Sequence, residues 1–132
     1  MSQDHAEVVR ALYERYREGD FGASAPLLDP HVVMVLGPDF PDSGSYLGAE
    51  AVAEYTKGLL EPWTDFTMEA KEIVPAGDSV LVEVRQRGVG SGSGVATELN
   101  YFTLWSFRGD KAIRIDSFRH RGEALEAAGL SE

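Results

Sequence analysis

Tyr101, Thr103 and Arg119 are hydrogen-bonding residues that alternate with other side chains in two stretches near the end of the chain. Successive side chains of a β-strand point to opposite faces, so strand counting places these three residues and Ser117 on one otherwise apolar face. A mostly apolar space with a few polar groups is the usual composition of a small-molecule pocket. An arginine at its end can pair with a ligand carboxylate or enolate. The pattern predicts a ligand pocket, and Thr103→Val should change ligand binding with little effect on stability.

Strand parity and position also predict the apolar walls of this pocket. The apolar residues that we expect to contact the ligand are Val33, Val35, Trp63, Leu99 and Ile115. A fully packed core explains the same alternation, because aromatic residues on alternating strand positions also fill protein interiors. In that case Arg119 forms a salt bridge with Glu123 on the following turn. Both interpretations stay open at the level of the sequence.

Asp116 and His31 are the candidate acid–base residues. Asp116 has the opposite parity to Ser117 on the last predicted strand, so a β-bulge would have to turn it toward the pocket. His31 follows Pro30 at the entrance of a strand, where an imidazole that titrates near neutral pH could reach the pocket mouth. A surface histidine explains the same position. An enzyme that transfers protons would therefore depend on few groups.

Several kinds of catalytic site are not supported by the residue types. The chain has no cysteine, which removes thiol nucleophiles, thiolate metal ligands and disulfides. No histidine and carboxylate residues show metal-ligand spacing, and the loop serines lack a nucleophile-elbow context. The glycines of RGVGSGSG (87–94) lie between two predicted strands, whereas a dinucleotide-binding loop joins a strand to a helix. We therefore predict a hairpin there, no metal and no cofactor.

Composition limits the partners of the chain. Its 132 residues carry a formal net charge of −10, which repels phosphate backbones and anionic membrane surfaces. No stretch has the length and hydropathy of a signal peptide or a membrane span. We therefore expect a cytoplasmic protein that binds neither nucleic acid nor membranes and whose partner is a small hydrophobic molecule.

The elements that position these residues are helices in the first half of the chain and strands in the second. Apolar spacing predicts helices over residues 4–18 and 49–60, with a shorter helical segment over 20–28. HVVMVL (31–36) predicts a strand, and residues 37–48 predict a loop. The ranges expected to form the remaining strands are 65–78, 79–88, 95–107 and 111–120, before one or two C-terminal helical turns. This order predicts a single α+β domain over residues 1–132.

The order of elements and four stretches of sequence resemble a known family. The stretches are YREGDFGASAPLLDPHVVMV (16–35), SGSYLGAEAVAEY (43–55), RGVGSGSG (87–94) and LWSFRGDKAIRIDSFRHRGEALEAAGL (104–130). They resemble the SnoaL-like relatives of polyketide cyclases within the nuclear transport factor two-like fold. The resemblance implies a cone in which a bent antiparallel sheet wraps around the N-terminal helices. It also implies a homodimer, for which the mixed-charge outer face of the sheet is the expected contact.

The site residues implied by this resemblance are mostly absent. Alignment with ketosteroid isomerases puts their carboxylate base at Val35, and their oxyanion-binding tyrosine and aspartate at Leu12 and Thr103. Alignment with SnoaL-type cyclases puts a histidine at Thr103 and an aspartate at or beside Ser117, with Asp116 the nearest carboxylate. The resemblance therefore implies the fold more strongly than it implies a mechanism.

Two classes of function follow from these observations. The first is a cofactor-independent enzyme of the isomerase, cyclase or hydrolase type that acts on a small hydrophobic molecule. The second is a non-catalytic ligand-binding or dimerisation module that has the fold without the acid–base groups. A carboxylate that lines the cavity would favour the first class.

Overall fold

A six-stranded sheet and three helices form the fold in residues 2–131, which this computed structural model describes. The helices are α1 (Ser2–Arg17), α2 (Ala49–Leu60) and α3 (Arg121–Ala128). The strands are β1 (Leu28–Leu36), β2 (Gly44–Leu47), β3 (Trp63–Ala76), β4 (Ser79–Gly90), β5 (Ala96–Arg108) and β6 (Lys111–Phe118). None of these helices is long and apolar enough to cross a membrane.

The sheet has the spatial order β2-β1-β6-β5-β4-β3. Strands β3 to β6 form an antiparallel meander, as the short turns between them predict. β1 joins this meander through a parallel pairing with β6, in which Met34 lies opposite Ile115. Register shifts interrupt the β3–β4 and β5–β6 pairings, and such bulges increase the bend of a sheet. The bent α+β sheet that the sequence predicts is confirmed, although one of its pairings is parallel.

Helix α1 packs its apolar stripe against the concave face of the sheet. Val9, Leu12, Tyr13 and Tyr16 recur at the spacing of one helix face and are all buried. They belong to the main core, together with alternate residues of β4 and β5 such as Val82. The concave face and α1 therefore form the inside of the cone.

The outer face of the sheet is only partly charged. Helix α3 covers Leu81 and Leu104 with Ala124 and Leu125, which makes a second and smaller apolar cluster. Gly129 ends this helix in the left-handed region at φ 73°, as its position after the apolar residues predicts. Elsewhere on this face the charges pair with one another. The hydrogen-bonded pairs are Arg85 with Glu69 at 2.6 Å, Arg87 with Glu98 at 3.0 Å and Arg114 with Asp116 at 2.9 Å.

The glycine-rich stretch is a β-hairpin, as predicted. Val89 pairs with Ala96 across it, and the Gly90 N–H donates to the Val95 carbonyl at 2.9 Å. Gly94 adopts φ 70°, which glycine reaches without steric cost. A strand follows the turn, so no helix N-terminus is available to bind a phosphate.

Two sequence predictions of local structure are wrong. The helical segment expected over residues 20–28 is only a single 3-10 turn at Ala25–Leu27, because Pro26 cannot donate the hydrogen bond that would extend it. The loop expected over residues 37–48 contains strand β2, which pairs with β1 so that Met34 lies opposite Tyr46. The loop that remains, residues 37–43, is attached to β6 through the Gly37 N–H and the Ser117 carbonyl at 3.2 Å.

Candidate functional site

A cavity of about 560 Å³ lies between helices α1 and α2 and the concave face of the sheet. Aromatic side chains from helices, strands and loops dominate its wall. They are Tyr13, Tyr16, Phe21, Phe40, Tyr55, Trp63, Phe66, Tyr101 and Trp105. Pockets of roughly 300–1,000 Å³ with such walls are typical of small-molecule sites.

The aromatic wall is held by contacts within itself. The Tyr13 and Trp105 rings pack edge to face at 6.3 Å, and the Trp105 Nε1–H donates to the Tyr13 hydroxyl at 3.2 Å. The Phe40 ring packs edge to face on Tyr101 at 5.5 Å. A Cβ atom at Gly88 would lie 3.0 Å from the Trp63 ring, so this indole packs directly on the backbone of β4. These contacts hold the aromatic side chains of the wall in defined positions.

Most polar groups at the back of the cavity satisfy one another. The Thr103 and Ser117 hydroxyls are hydrogen-bonded at 3.1 Å, and both residues are buried. The Tyr101 hydroxyl donates to Gln86 Oε1 at 2.9 Å. Buried polar groups in native proteins almost always have such partners.

The tyrosine hydroxyls of the cavity are neutral at physiological pH. Burial raises the pKa of Tyr13, Tyr16, Tyr55 and Tyr101 above the ordinary tyrosine value. For Tyr55 the negative charge of Asp42 raises the pKa further. These neutral phenols are therefore hydrogen-bond donors and not bases, and the Tyr101 hydroxyl already donates to Gln86.

Arg119 is the one cationic side chain of the described residues that lines the cavity. Its Nη1 donates to the Asp39 carbonyl at 3.4 Å, which is a long hydrogen bond. Its Nε is buried and has no hydrogen-bond partner among residues 2–131. The guanidinium carbon lies 5.9 Å from the centre of the Phe40 ring, so the ring supports it. The salt bridge with Glu123 that the sequence left open is not formed within residues 2–131.

Asp42 is the one carboxylate that lines the cavity in the described part of the chain. It is exposed and lies on the loop between β1 and β2. The Tyr46 hydroxyl donates to the Asp42 carbonyl at 2.8 Å, which fixes this loop against β2. No pattern in the sequence indicates Asp42, because a loop carboxylate gives no signal of where the loop folds.

The structure brings six residues of the predicted ligand-binding set to the cavity wall. They are Trp63, Leu99, Tyr101, Ile115, Ser117 and Arg119. Contact of these residues with a ligand remains a prediction. Thr103 does not line the cavity, because it is buried and bonded to the Ser117 hydroxyl.

The predicted inward orientation of Val33 and Val35 is wrong. The residues of β1 that line the cavity are Met34 and Leu36, which have the opposite parity. Val33 pairs with Arg114 and Val35 with Asp116 in the neighbouring strand. Because residues 32–36 (VVMVL) are all apolar, their pattern does not distinguish the two faces.

The two predicted acid–base residues lie outside the cavity. Asp116 has a side chain 15% exposed and accepts two hydrogen bonds from Arg114 Nε, at 2.9 and 3.1 Å. The bulge between β5 and β6 falls at Ser106 and Phe107, so it does not turn Asp116 inward. His31 is exposed near the start of β1, where its backbone N–H donates to the Asp29 carboxylate at 2.8 Å. Neither residue lines the cavity wall.

Three exposed residues come together on the surface beside Arg119. Asp39, His120 and Glu123 place potential metal-ligand atoms within 4.8 Å of one another. Sequence spacing could not indicate this cluster, because Asp39 is 81 residues from His120. An ordinary side-chain hydrogen bond accounts for the contact of His120 Nε2 with Asp39 Oδ2 at 3.1 Å. The absence of a functional metal stays a prediction.

The chain belongs to the SnoaL-like domain family, whose model matches residues 9–115. A search of curated proteins finds no match. Several solved structures have the same fold. An NTF2-like protein from Burkholderia thailandensis is 20% identical, with a TM-score of 0.77 over 96% of this chain and 97% of that one. A putative SnoaL-like polyketide cyclase from Jannaschia sp. CCS1 is 17% identical, with a TM-score of 0.72 over 96% and 92%.

A third similar structure is that of TerC co-crystallised with polyporic acid. It is 20% identical to this chain, with a TM-score of 0.71 over 98% of this chain and 99% of TerC. At this identity the likeness establishes the nuclear transport factor two-like fold, an α+β cone, as the resemblance predicts. It does not establish an activity, because this fold supports many functions.

Proposed function

We propose that the protein binds a small, mostly apolar molecule with two or three fused rings in the cavity between α1, α2 and the sheet. The observation that carries the proposal is the aromatic wall around about 560 Å³ of space. Aromatic side chains bury large areas and stack on flat ligands with defined geometry. A packed core would leave no such volume, since protein interiors hold few voids larger than a water molecule.

Tryptophan fluorescence provides a direct test of this proposal. The chain has 2 tryptophans, and Trp63 and Trp105 both line the cavity. A panel of two- and three-ring aromatic compounds should therefore include members that quench the emission saturably, with one molecule bound per chain by calorimetry. The Trp63→Phe variant should retain quenching through Trp105. Surface adsorption would instead leave Trp105 unaffected, because this residue is 4% exposed.

Truncation of the wall supplies a matched control. Leu99→Ala removes apolar atoms from the cavity wall. Leu47→Ala removes the same atoms from a residue that is 69% exposed and does not line the cavity. Leu99→Ala should weaken binding about five- to fiftyfold, since each buried CH₂ contributes roughly 0.8 kcal/mol. Leu47→Ala should leave binding unchanged. Equal affinities for the two variants, or no binding by the whole panel, would refute the proposal.

A second candidate function is proton transfer at a carbon next to a carbonyl group, without a cofactor. The position of Asp42 at the cavity beside the neutral Tyr55 phenol favours it. The Asp42 carboxylate would take the α-proton, and the C–H electron pair would form the C=C bond of an enolate. A neutral phenol would donate a hydrogen bond to the enolate oxygen. The proton would then return to carbon.

Hydrogen exchange distinguishes this enzyme from a binding module. 2-Tetralone in D₂O should exchange its α-hydrogens faster with the protein than with buffer alone, as followed by proton NMR. Asp42→Asn should abolish the acceleration, and Asp110→Asn in the exposed β5–β6 turn should not. Saturable binding of 2-tetralone without accelerated exchange would leave ligand binding as the function and rule out proton transfer on this compound.

The location, the oligomeric state and the cofactor requirement of the protein are part of the same proposal. We propose a cytoplasmic homodimer that uses no cofactor, in which each chain has its own cavity. Support for the dimer comes from the outer face of the sheet, where charges of both signs are exposed in adjacent rows. Two such faces can complement one another about a twofold axis.

A further inference from the structure

We infer that the ligand of this cavity carries an acidic oxygen, a carboxylate or an enolate, and that Arg119 binds it. This inference rests on the proposed function and names its ligand class. An acidic oxygen here means a group that is ionised at neutral pH and attached to the apolar rings.

The first support is that most of the hydrogen-bonding capacity of Arg119 is unused. A guanidinium has five N–H donors and always carries its charge. Here one donor makes a long hydrogen bond to the Asp39 carbonyl at 3.4 Å, and the buried Nε has no partner. No carboxylate of residues 2–131 forms an ion pair with this side chain. A buried donor without a partner destabilises a protein, and an anionic oxygen would satisfy it with a charge-assisted bond.

The second support is that the site around Arg119 is built. Its guanidinium lies beside the Phe40 ring, whose own edge packs on Tyr101. Phe40 is 8% exposed, so this support is held firmly within the core. Ser117 of β6 lies two residues before Arg119, which directly follows the end of that strand, and Ser117 also lines the cavity. Arg119 therefore has restricted freedom, which lowers the entropy lost when it binds an anion.

The third support is the distribution of charge along the cavity wall. Arg119 and Asp42 are the charged residues of the described chain that line it. Asp42 repels an anionic group and Arg119 attracts one, so together they set a single orientation for an amphipathic acid. The formal net charge of −10 opposes anions in general, which makes a local cation necessary for this ligand class.

A matched pair of probes tests the inference. 2-Naphthoate and its neutral amide, 2-naphthamide, have nearly the same size and shape, and only the first is charged at pH 7.5. Calorimetry and tryptophan quenching should show at least tenfold tighter binding of the acid to the native protein. Arg119→Met should reduce the affinity for the acid at least tenfold while changing the affinity for the amide less than threefold. Arg10→Met, on the exposed face of α1, is the control for the loss of one positive charge.

Each outcome decides between the two proposals. Equal affinities of the native protein for acid and amide overturn the role of Arg119, as does a preference for the acid that survives Arg119→Met. Failure of both compounds to bind, together with the rest of the aromatic panel, overturns the cavity as a ligand site. Unchanged amide binding shows that Arg119→Met is folded. If that variant does not fold, Arg119→Lys keeps the charge but loses the Nε donor, and it should bind the acid three- to tenfold more weakly than the native protein.

Discussion

Replacement of Thr103 by valine removes one partner of a buried hydroxyl pair without changing the side-chain volume much. Thr103 and Ser117 are 5% and 6% exposed, and their hydroxyl oxygens are 3.1 Å apart. Thr103→Val leaves the Ser117 hydroxyl buried without this partner, which costs about 1–3 kcal/mol of unfolding free energy. Unfolding entropy is roughly 2.1 cal/mol/K per residue, so the melting temperature of a 132-residue chain should fall by about 4–11 °C.

A double-mutant cycle measured by urea unfolding isolates this interaction. Ser117→Ala leaves the Thr103 hydroxyl buried without its partner, so its cost should fall in the same range of about 1–3 kcal/mol. The double variant should lose about 1 kcal/mol less unfolding free energy than the sum of the two single variants. When both hydroxyls are removed, neither is left buried without a partner. Additive costs, or a Thr103→Val variant within about 0.5 kcal/mol of the native protein, would refute this reasoning. A loss of stability of this size would contradict the expectation from the sequence that Thr103→Val changes ligand binding with little effect on stability.

The remaining predictions concern core parity, backbone packing, pH and assembly. Val32→Ala should lower the free energy of unfolding in urea by about 2 kcal/mol, because Val32 is 0% exposed. Val33→Ala should lower it by less than about 1 kcal/mol, because Val33 is only partly buried. Equal costs would contradict the observed parity of β1. Gly88→Ala should lower the melting temperature, because the added methyl group would displace the Trp63 ring. Gly92→Ala should not lower it, because the space around Gly92 is open. Similar shifts for the two variants would show that the packing of Trp63 on Gly88 is unimportant for stability. The raised pKa values of the cavity tyrosines stabilise the fold fully below about pH 10. Above that pH the ionisation of each of the buried Tyr13, Tyr16 and Tyr101 should cost the fold about 1.4 kcal/mol per pH unit, and that of the partly buried Tyr55 should cost less. Absorbance at about 295 nm should therefore show their ionisation together with unfolding, and ionisation without unfolding would contradict their burial. Sedimentation at micromolar concentration should show a dimer, and a monomer alone would rule the dimer out.

The sequence alone determined the elements whose pattern is periodic. The apolar stripe of α1 indicates a buried helix face, and the structure buries Val9, Leu12 and Tyr13 as that stripe requires. The alternation along β5 separates Tyr101 on the concave face from Phe102 on the other. Position between two strands was enough to identify the glycine-rich stretch as a hairpin. These inferences hold because local geometry, with a period of 2.0 or 3.6 residues, sets the direction of each side chain.

Only the tertiary structure decided which groups meet at the cavity. The continuous apolar run of β1 carries no parity signal, so its pairing with β6 determined that Met34 and Leu36 point inward. The loop that carries Asp42 is placed by hydrogen bonds to Ser117 of β6 and to Tyr46 of β2, and no periodicity predicts them. Strand counting put Arg119 on the concave face. Only the three-dimensional positions of its neighbours show that the Arg119 Nε lacks a hydrogen-bond partner among the described residues. Contacts between residues far apart in the chain depend on how the elements pack, and a local pattern does not contain that information.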